Sequence, residues 1–261
     1  MITLGDSQHP ALIFLHGFMG TGEDWRALAN HFTDRFYCVL PDLPGHGTNI
    51  DHDPEQPLTF DQIAYGVRAL LDTNDLKHPT LVGYSLGGRA ALYTAIRFPH
   101  RFHALVLEGP NPGIPDENAR TQRATLDDQR GDKIEHDLGS FIEHWYDMPL
   151  FAGLHRDPAR LAAMKTRRKQ NNPFWAAKAI RDFSPGRMPD LWPRLSEITL
   201  PTLLIAGADD AKYSQIIRKM AETIPNAQTA HIPGAGHNAH HDQTYAFIQV
   251  LDSFFSRVYA K

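Results

Sequence analysis

Short, continuously apolar runs recur along the chain, and most are separated by stretches with helical spacing. Ala11–Leu15, 36–40, 80–82, Ala104–Glu108 and 202–206 have no polar alternation, and 229–232 reads as a final strand. Runs of this kind fit strands buried on both faces of a parallel sheet. Between them, 24–31 places Trp25 and Leu28 on one face, and 60–71 does the same with Ile63, Val67, Leu70 and Leu71. These two segments, with 86–98, 213–223 and 245–255, read as helices. The alternation predicts an α/β fold: a mostly parallel sheet with helices on both faces. From about Asn111 to Asp190 the rhythm fails. Helical patterns continue there, with Phe141, Trp145, Phe151, Leu161, Met164, Phe174 and Trp175 as apolar faces, and no strong strand follows until Thr202. We therefore expect a helical cap over residues 111–190, inserted into a core of 1–110 and 191–261. Its expected place is over the C-terminal edge of the sheet, where open α/β folds bind ligands.

Composition narrows the class only a little. At 261 residues the chain suits one large domain with an insertion and needs no disulfide or metal to fold. Cys38 is the single cysteine, so no internal disulfide forms, in keeping with a reducing compartment. Met1 leads into a polar segment rather than a basic-then-apolar leader, and no apolar run is long enough to span a membrane. A cytoplasmic location is the resulting expectation. The net charge of −4 gives no case for nucleic acid as a partner. Fifteen histidines are present, without the spacings that mark a metal site; neither metal nor cofactor is expected. Nothing in the pattern specifies an oligomeric state.

The chemistry centres on Gly83-Tyr84-Ser85-Leu86-Gly87, between the 80–82 run and an Ala-rich helical stretch. A G-x-S-x-G turn in a strand–turn–helix context holds its serine strained and exposed at a helix N-terminus. The helix dipole there favours developing negative charge. Serine needs an imidazole to act at neutral pH, and the imidazole needs a carboxylate to fix its tautomer. In this chain order both should follow the serine. His237, in Gly234-Ala-Gly-His-Asn238, suits the first role. Asp209 and Asp210 both follow the 202–206 strand; Asp210 completes a Gly-x-x-Asp turn from Gly207 and is preferred, which leaves Asp209 facing solvent or capping a helix. The Gly-rich segment after Leu15 adds a candidate oxyanion hole from the N–H groups of Phe18 and Leu86.

Taken together, the His16-Gly17 loop, Asp42-Leu-Pro-Gly-His-Gly47, the serine elbow, Gly207-x-x-Asp210 and Gly236-His237 resemble the α/β-hydrolase superfamily across nearly the whole chain. Leu15-His-Gly-Phe-Met-Gly-Thr-Gly-Glu-Asp-Trp25, Gly83-Tyr-Ser-Leu-Gly-Gly-Arg89, Gly109-Pro-Asn-Pro-Gly113 and Gly236-His-Asn-Ala-His240 are similar to one branch of it, the 2-succinyl-6-hydroxy-2,4-cyclohexadiene-1-carboxylate synthases of menaquinone biosynthesis. Trp145-Tyr146 and residues 168–172 also resemble that branch's cap. The resemblance implies a lyase that expels pyruvate from a small polycarboxylate, with Ser85 taking a proton and His237 relaying it. It also implies that Arg89, Arg168 and, in the first cap helix, Arg123 rather than Arg120 hold substrate carboxylates, for which a guanidinium fork is suited. Arg120 and Arg167 are expected to be solvated. Trp145 and Tyr146 either line the pocket or pack the cap, and Tyr84 either donates a hydrogen bond to substrate or packs the elbow. The alternatives on the same residues are a carboxylesterase or thioesterase, with an apolar pocket, and, more remotely, a non-catalytic ligand-binding protein.

Overall fold

The computed structural model describes residues 1–260. Its strands are β1 (Ile2–Leu4), β2 (Ala11–Leu15), β3 (Tyr37–Leu40), β4 (Thr80–Tyr84), β5 (Ala104–Glu108), β6 (Thr202–Gly207) and β7 (Ala227–Ile232). They form one seven-stranded sheet in the order β1-β3-β2-β4-β5-β6-β7. Every pairing is parallel except β1 with β3. β2, β4, β5 and β6 are fully buried along their length apart from Tyr84 at the end of β4. That is why they read as apolar runs rather than alternating ones.

The helices are α1 (Arg26–Ala29), α2 (Phe60–Thr73), α3 (Leu86–Arg97), α4 (Glu117–His136), α5 (Leu138–Tyr146), α6 (Pro158–Arg168), α7 (Pro173–Asp182), α8 (Ala211–Thr223), α9 (Ala239–Asp242) and α10 (Thr244–Val258). One face of the sheet packs on α2, α3 and α8 through residues such as Ile63, Leu92 and Ile217. The other packs on the α1 region and α10 through Trp25, Phe32, Phe247 and Phe254. α4 to α7 form the cap, with a small core of their own around Ile134, Ile142, Met164 and Ile180. These four helices fall between β5 and β6, and no strand lies between them among the described residues.

Two expectations need amending, and one strand was not expected. The 24–31 stretch is not one helix: 3₁₀ turns at Gly22–Trp25 and Asn30–Phe32 flank the single α-turn of α1. Gly22 is pinned by its N–H to Asp42 Oδ1 (2.9 Å), so the segment follows β3 rather than winding freely. β1 was not legible; three residues paired antiparallel at an edge leave little pattern. In α7 it is Trp175 that turns inward, while Phe174 remains 43% exposed.

Candidate active site

The site begins where β4 runs into α3. The turn between them is so tight that a Cβ on Gly83 would collide with the Gly87 carbonyl, and one on Gly87 with the Leu15 carbonyl. Only glycine fits either place. Ser85, squeezed between them, adopts φ +52°, which a non-glycine residue rarely does without a local cost. Its N–H donates to the Glu108 carbonyl of β5 (2.9 Å). The side chain is thereby presented at the N-terminus of α3.

Two later strand ends bring its partners. His237 Nε2 lies 3.1 Å from Ser85 Oγ, and His237 Nδ1 lies 3.0 Å from Asp210 Oδ2. An ionised carboxylate only accepts, so Nδ1 carries the proton and Nε2 is left to accept from the serine hydroxyl. Asp210 is itself fixed, because its other oxygen accepts the Tyr213 N–H as the N-cap of α8 (3.1 Å). Asp209 points outward to Arg156 (2.7 Å). Tyr213 stacks at 4.3 Å between ring centroids on His237 and shields the dyad from one side.

Phe18 and Leu86 line the same cavity. Leu86 is the first residue of α3, where the helix supplies no acceptor, and the Phe18 N–H meets none among the described residues. The loop between β2 and the α1 region is held by His16. Its Nδ1 donates to the Gly17 carbonyl (2.8 Å) and its Nε2 accepts the Leu43 N–H (2.9 Å). Burial lowers the His16 pKa, which keeps the ring neutral in that tautomer.

These residues open into a cavity of about 350 Å³ between the strand ends and the cap. Its walls bring together Tyr84, Arg89, Arg123, Trp145, Tyr146 and Arg168 from the expected set, while Arg120 and Arg167 do not line it. The cations differ in how they are balanced. Arg168, 6% exposed, is clasped by both oxygens of Asp24 (2.7 and 3.1 Å) and gives its Nε–H to Tyr146 Oη (3.1 Å). Burial alone would raise the Asp24 carboxyl, but Arg168 outweighs it and holds the group down to about 2. Arg168 therefore borders the cavity as a positioned donor, not as a free charge. Arg123 and Arg130 share the fully buried Asp127 (2.8 Å each), which also accepts from Ser184 Oγ (2.6 Å).

Arg89 is the exception among these arginines. Nη1 donates to the Phe183 carbonyl at the end of α7 (2.6 Å), the guanidinium sits 5.6 Å over the Phe60 ring, and no carboxylate among the described residues pairs with it. Burial brings its pKa down to about 10. The side chain is only partly buried, at the wall of the cavity, with no protein anion to balance its charge.

Trp145 is half-buried, stacks on Phe141 (5.4 Å), and lies beneath the Arg130 guanidinium (5.3 Å). Both readings of this residue hold at once: it packs the cap with one face and borders the cavity. Tyr146 is buried, its hydroxyl committed to Arg168. Tyr84 Oη has no hydrogen-bond partner among the described residues, and its ring lies against Gly17, His237 and His240.

Sequence reasoning passed over Asp24, Asp127, Arg130 and Lys212, all of which line the cavity, and the buried pair Glu108–His240 (2.6 Å). The only signal available was the (i, i+3) and (i, i+4) spacing of Asp127 with Arg130 and Arg123 on α4. Among the described residues no group of three or more His, Cys, Asp or Glu is placed to hold a metal ion, and no helix is long and apolar enough to cross a membrane.

Comparison with known proteins agrees with this geometry. Residues 10–244 match the alpha/beta hydrolase fold family. The chain is 32% identical over 255 residues to the 2-succinyl-6-hydroxy-2,4-cyclohexadiene-1-carboxylate synthase of Serratia proteamaculans (strain 568), covering 96% of this chain and 94% of that one. It is 30% identical over 262 residues to the protein PHYLLO, chloroplastic, of Arabidopsis thaliana, where 95% of this chain spans 15% of that much longer protein. Among solved structures, that of MenH from S. aureus superposes with a TM-score of 0.93 at 35% identity over 98% of both chains. The chain therefore belongs to the α/β-hydrolase family and, within it, to the group of the 2-succinyl-6-hydroxy-2,4-cyclohexadiene-1-carboxylate synthases.

Proposed function

We propose that the protein is a lyase of menaquinone biosynthesis. It would convert 2-succinyl-5-enolpyruvyl-6-hydroxy-3-cyclohexene-1-carboxylate to 2-succinyl-6-hydroxy-2,4-cyclohexadiene-1-carboxylate and pyruvate. The observation that supports this best is the unpaired Arg89 guanidinium in the same cavity as a hydrogen-bonded Ser85–His237–Asp210 set. A neutral ester gives a partly buried, unbalanced cation nothing to bind; a polycarboxylate does. The relatives' names point the same way.

On this reading Ser85, polarised by His237, removes the proton from the ring carbon that bears the succinyl group. The electron pair becomes a ring double bond, the existing double bond shifts one position, and the bond to the enolpyruvyl oxygen breaks. Asp210 holds the His237 tautomer and stabilises the imidazolium. The Phe18 and Leu86 N–H groups stabilise the enolate-like oxygen that builds up on the succinyl carbonyl. Arg89 and the free N–H groups of Arg123, Arg130 and Arg168 hold carboxylates and fix the ring above Ser85.

An ester or thioester hydrolase would use the same Ser85 and the same two N–H groups, and that pair is what favours it as the second reading. The test is to supply the purified protein with the cyclohexene polycarboxylate and with small neutral esters. We expect stoichiometric pyruvate release, with ester cleavage slower by orders of magnitude. Efficient ester cleavage without pyruvate release would sink the lyase reading and leave the hydrolase.

A further inference from the structure

A second imidazole–carboxylate pair stands behind the first. Glu108, the last residue of β5, is 1% exposed, and His240, in α9, is 4% exposed. Glu108 Oε2 lies 2.6 Å from His240 Nδ1, and Glu108 Oε1 accepts the His240 backbone N–H (3.1 Å). The ring is clamped flat on Trp25 (4.3 Å between centroids, 23° between planes) and edge-on against Tyr84 (4.9 Å). The other ring nitrogen, Nε2, meets no donor or acceptor among the described residues, yet it is not sealed off. His240 borders the same cavity as Ser85 and His237. The Tyr84 ring packs against both imidazoles, 5.4 Å from His237 and 4.9 Å from His240.

The lyase reading, on which a role for His240 rests, has two proton positions in one elimination: a ring carbon that loses a proton and an ether oxygen that gains one. His237 is committed to the first through Ser85. We propose that His240, backed by Glu108, is the general acid that protonates the departing enolpyruvyl oxygen. The step balances. The carbon–oxygen bond breaks with its electron pair on oxygen, and the proton on His240 Nε2 passes to that oxygen, giving the enol of pyruvate. The Glu108 proton moves to Nδ1, leaving Glu108 as a carboxylate beside a neutral imidazole. The ring proton held on the His237 side is released to water, and water returns one proton to the pair.

Two features suit this use. Burial raises the Glu108 pKa and lowers that of His240, and across their 2.6 Å contact a proton on the carboxyl leaves the imidazole proton on Nε2. The charged and titratable groups around the ring besides Glu108 are Tyr84, Asp24, Arg168, His237 and His241, and of these Asp24 and Arg168 cancel one another. His240, His241 and Asp24 also border a neighbouring cleft of about 560 Å³ near Arg26 and Arg160, which gives the pair a solvent side from which to be reloaded.

A general acid is recognised by its dependence on the leaving group. The unmodified protein, His240→Gln and Glu108→Gln are assayed on the enolpyruvyl substrate and on an analogue with 2,4-dinitrophenolate in its place, which needs no protonation to leave. We expect His240→Gln to lower kcat/KM about 100-fold or more on the first, the lower end of what general acids contribute, and hardly at all on the second. Glu108→Gln should show the same preference, more weakly. Because each ratio is taken on one sample, a partly unfolded variant does not distort it. Equal losses on both substrates, or none, in a protein that releases pyruvate would overturn the role of His240 and leave the lyase reading standing. No pyruvate release by the unmodified protein would remove both.

Discussion

The two halves of the cavity are built on opposite plans. On the sheet side, Ser85, His237 and Asp210 sit at the ends of β4, β7 and β6, and the hydrogen-bonding atoms of that set are engaged within the protein. Around them stands a ring of cations from α3, α4, α6 and α8, engaged to very different degrees. Arg168 is neutralised by Asp24, Arg123 and Arg130 divide one charge on Asp127, and Arg89 has no anion at all. A group that moves protons must be held in one tautomer and orientation before substrate arrives. A group that recognises an anion must keep hydrogen-bonding capacity in reserve. The molecule meets both needs by completing its internal bonds on one side and leaving them incomplete on the other.

Ser85→Ala breaks the first half. Turnover should fall by about 10⁴ or more, as for other triads, while substrate binding, measured by calorimetry, largely survives because the cations are untouched. Near-normal turnover would remove Ser85 from the chemistry. Asp210→Asn should be severe too, and Asp209→Asn mild, since Asp209 only meets Arg156 at the surface.

Asp24→Asn attacks the join between core and cap. It leaves the Arg168 guanidinium buried without its counter-charge, which costs about 3–5 kcal/mol when one member of a buried pair is removed. Thermal unfolding should report this as a large fall in Tm. The pH dependence is a second readout. The Asp24 carboxyl titrates at about 2 in the fold, against 3.8 for the ordinary group. Its stabilisation is therefore complete above pH 4 and lost as pH falls through 2. The amount is on the order of 2 kcal/mol, from about 1.4 kcal/mol per unit. The Asn variant should lack that component of acid unfolding.

How far the sequence disclosed all this depends on distance along the chain. The buried strands and the elbow were legible because their constraints are local: apolar runs for β2 and β5, and glycines that no other residue can replace at 83 and 87. His237 and Asp210 were legible as loop residues after strands, although their convergence on Ser85 is not local. Asp24–Arg168 and Glu108–His240 were not legible. Each joins residues more than 130 positions apart, and an isolated aspartate or histidine in a loop gives no local sign of its partner. The cap arginines show the same limit. Spacing puts Arg123 and Arg168 on helices, but only packing decides that both Asp24 oxygens hold one fork and Asp127 part of another.

Arg89→Ala probes the incomplete side. Losing one charge-assisted hydrogen bond to a substrate carboxylate costs about 1.5–3 kcal/mol, roughly 10- to 150-fold in kcat/KM. Arg89→Lys should restore only part of it. Hydrolysis of a neutral ester, if measurable, should change little. Equal losses on both substrates would instead assign Arg89 to the bond it makes with the Phe183 carbonyl, tying the elbow helix to the cap.

The smallest expected effect belongs to Tyr84, which separates the two plans within a single side chain. Its ring is part of the completed side, filling the space between Gly17, His237 and His240. Its hydroxyl is part of the incomplete side, because it lies at the cavity without a protein partner among the described residues. Burial raises its pKa, so it is a neutral donor throughout the working range. Tyr84→Phe keeps the ring and deletes only the donor. A neutral hydrogen bond contributes about 0.5–1.5 kcal/mol, so kcat/KM should fall by roughly 2- to 13-fold with Tm unchanged or slightly raised. Tyr84→Ala should lower Tm as well, since the ring packs beside both imidazoles. If Tyr84→Phe leaves kcat/KM untouched while Tyr84→Ala unfolds easily, the hydroxyl takes no part in recognition, and Tyr84 belongs wholly to the scaffold that holds Ser85 and His237 in place.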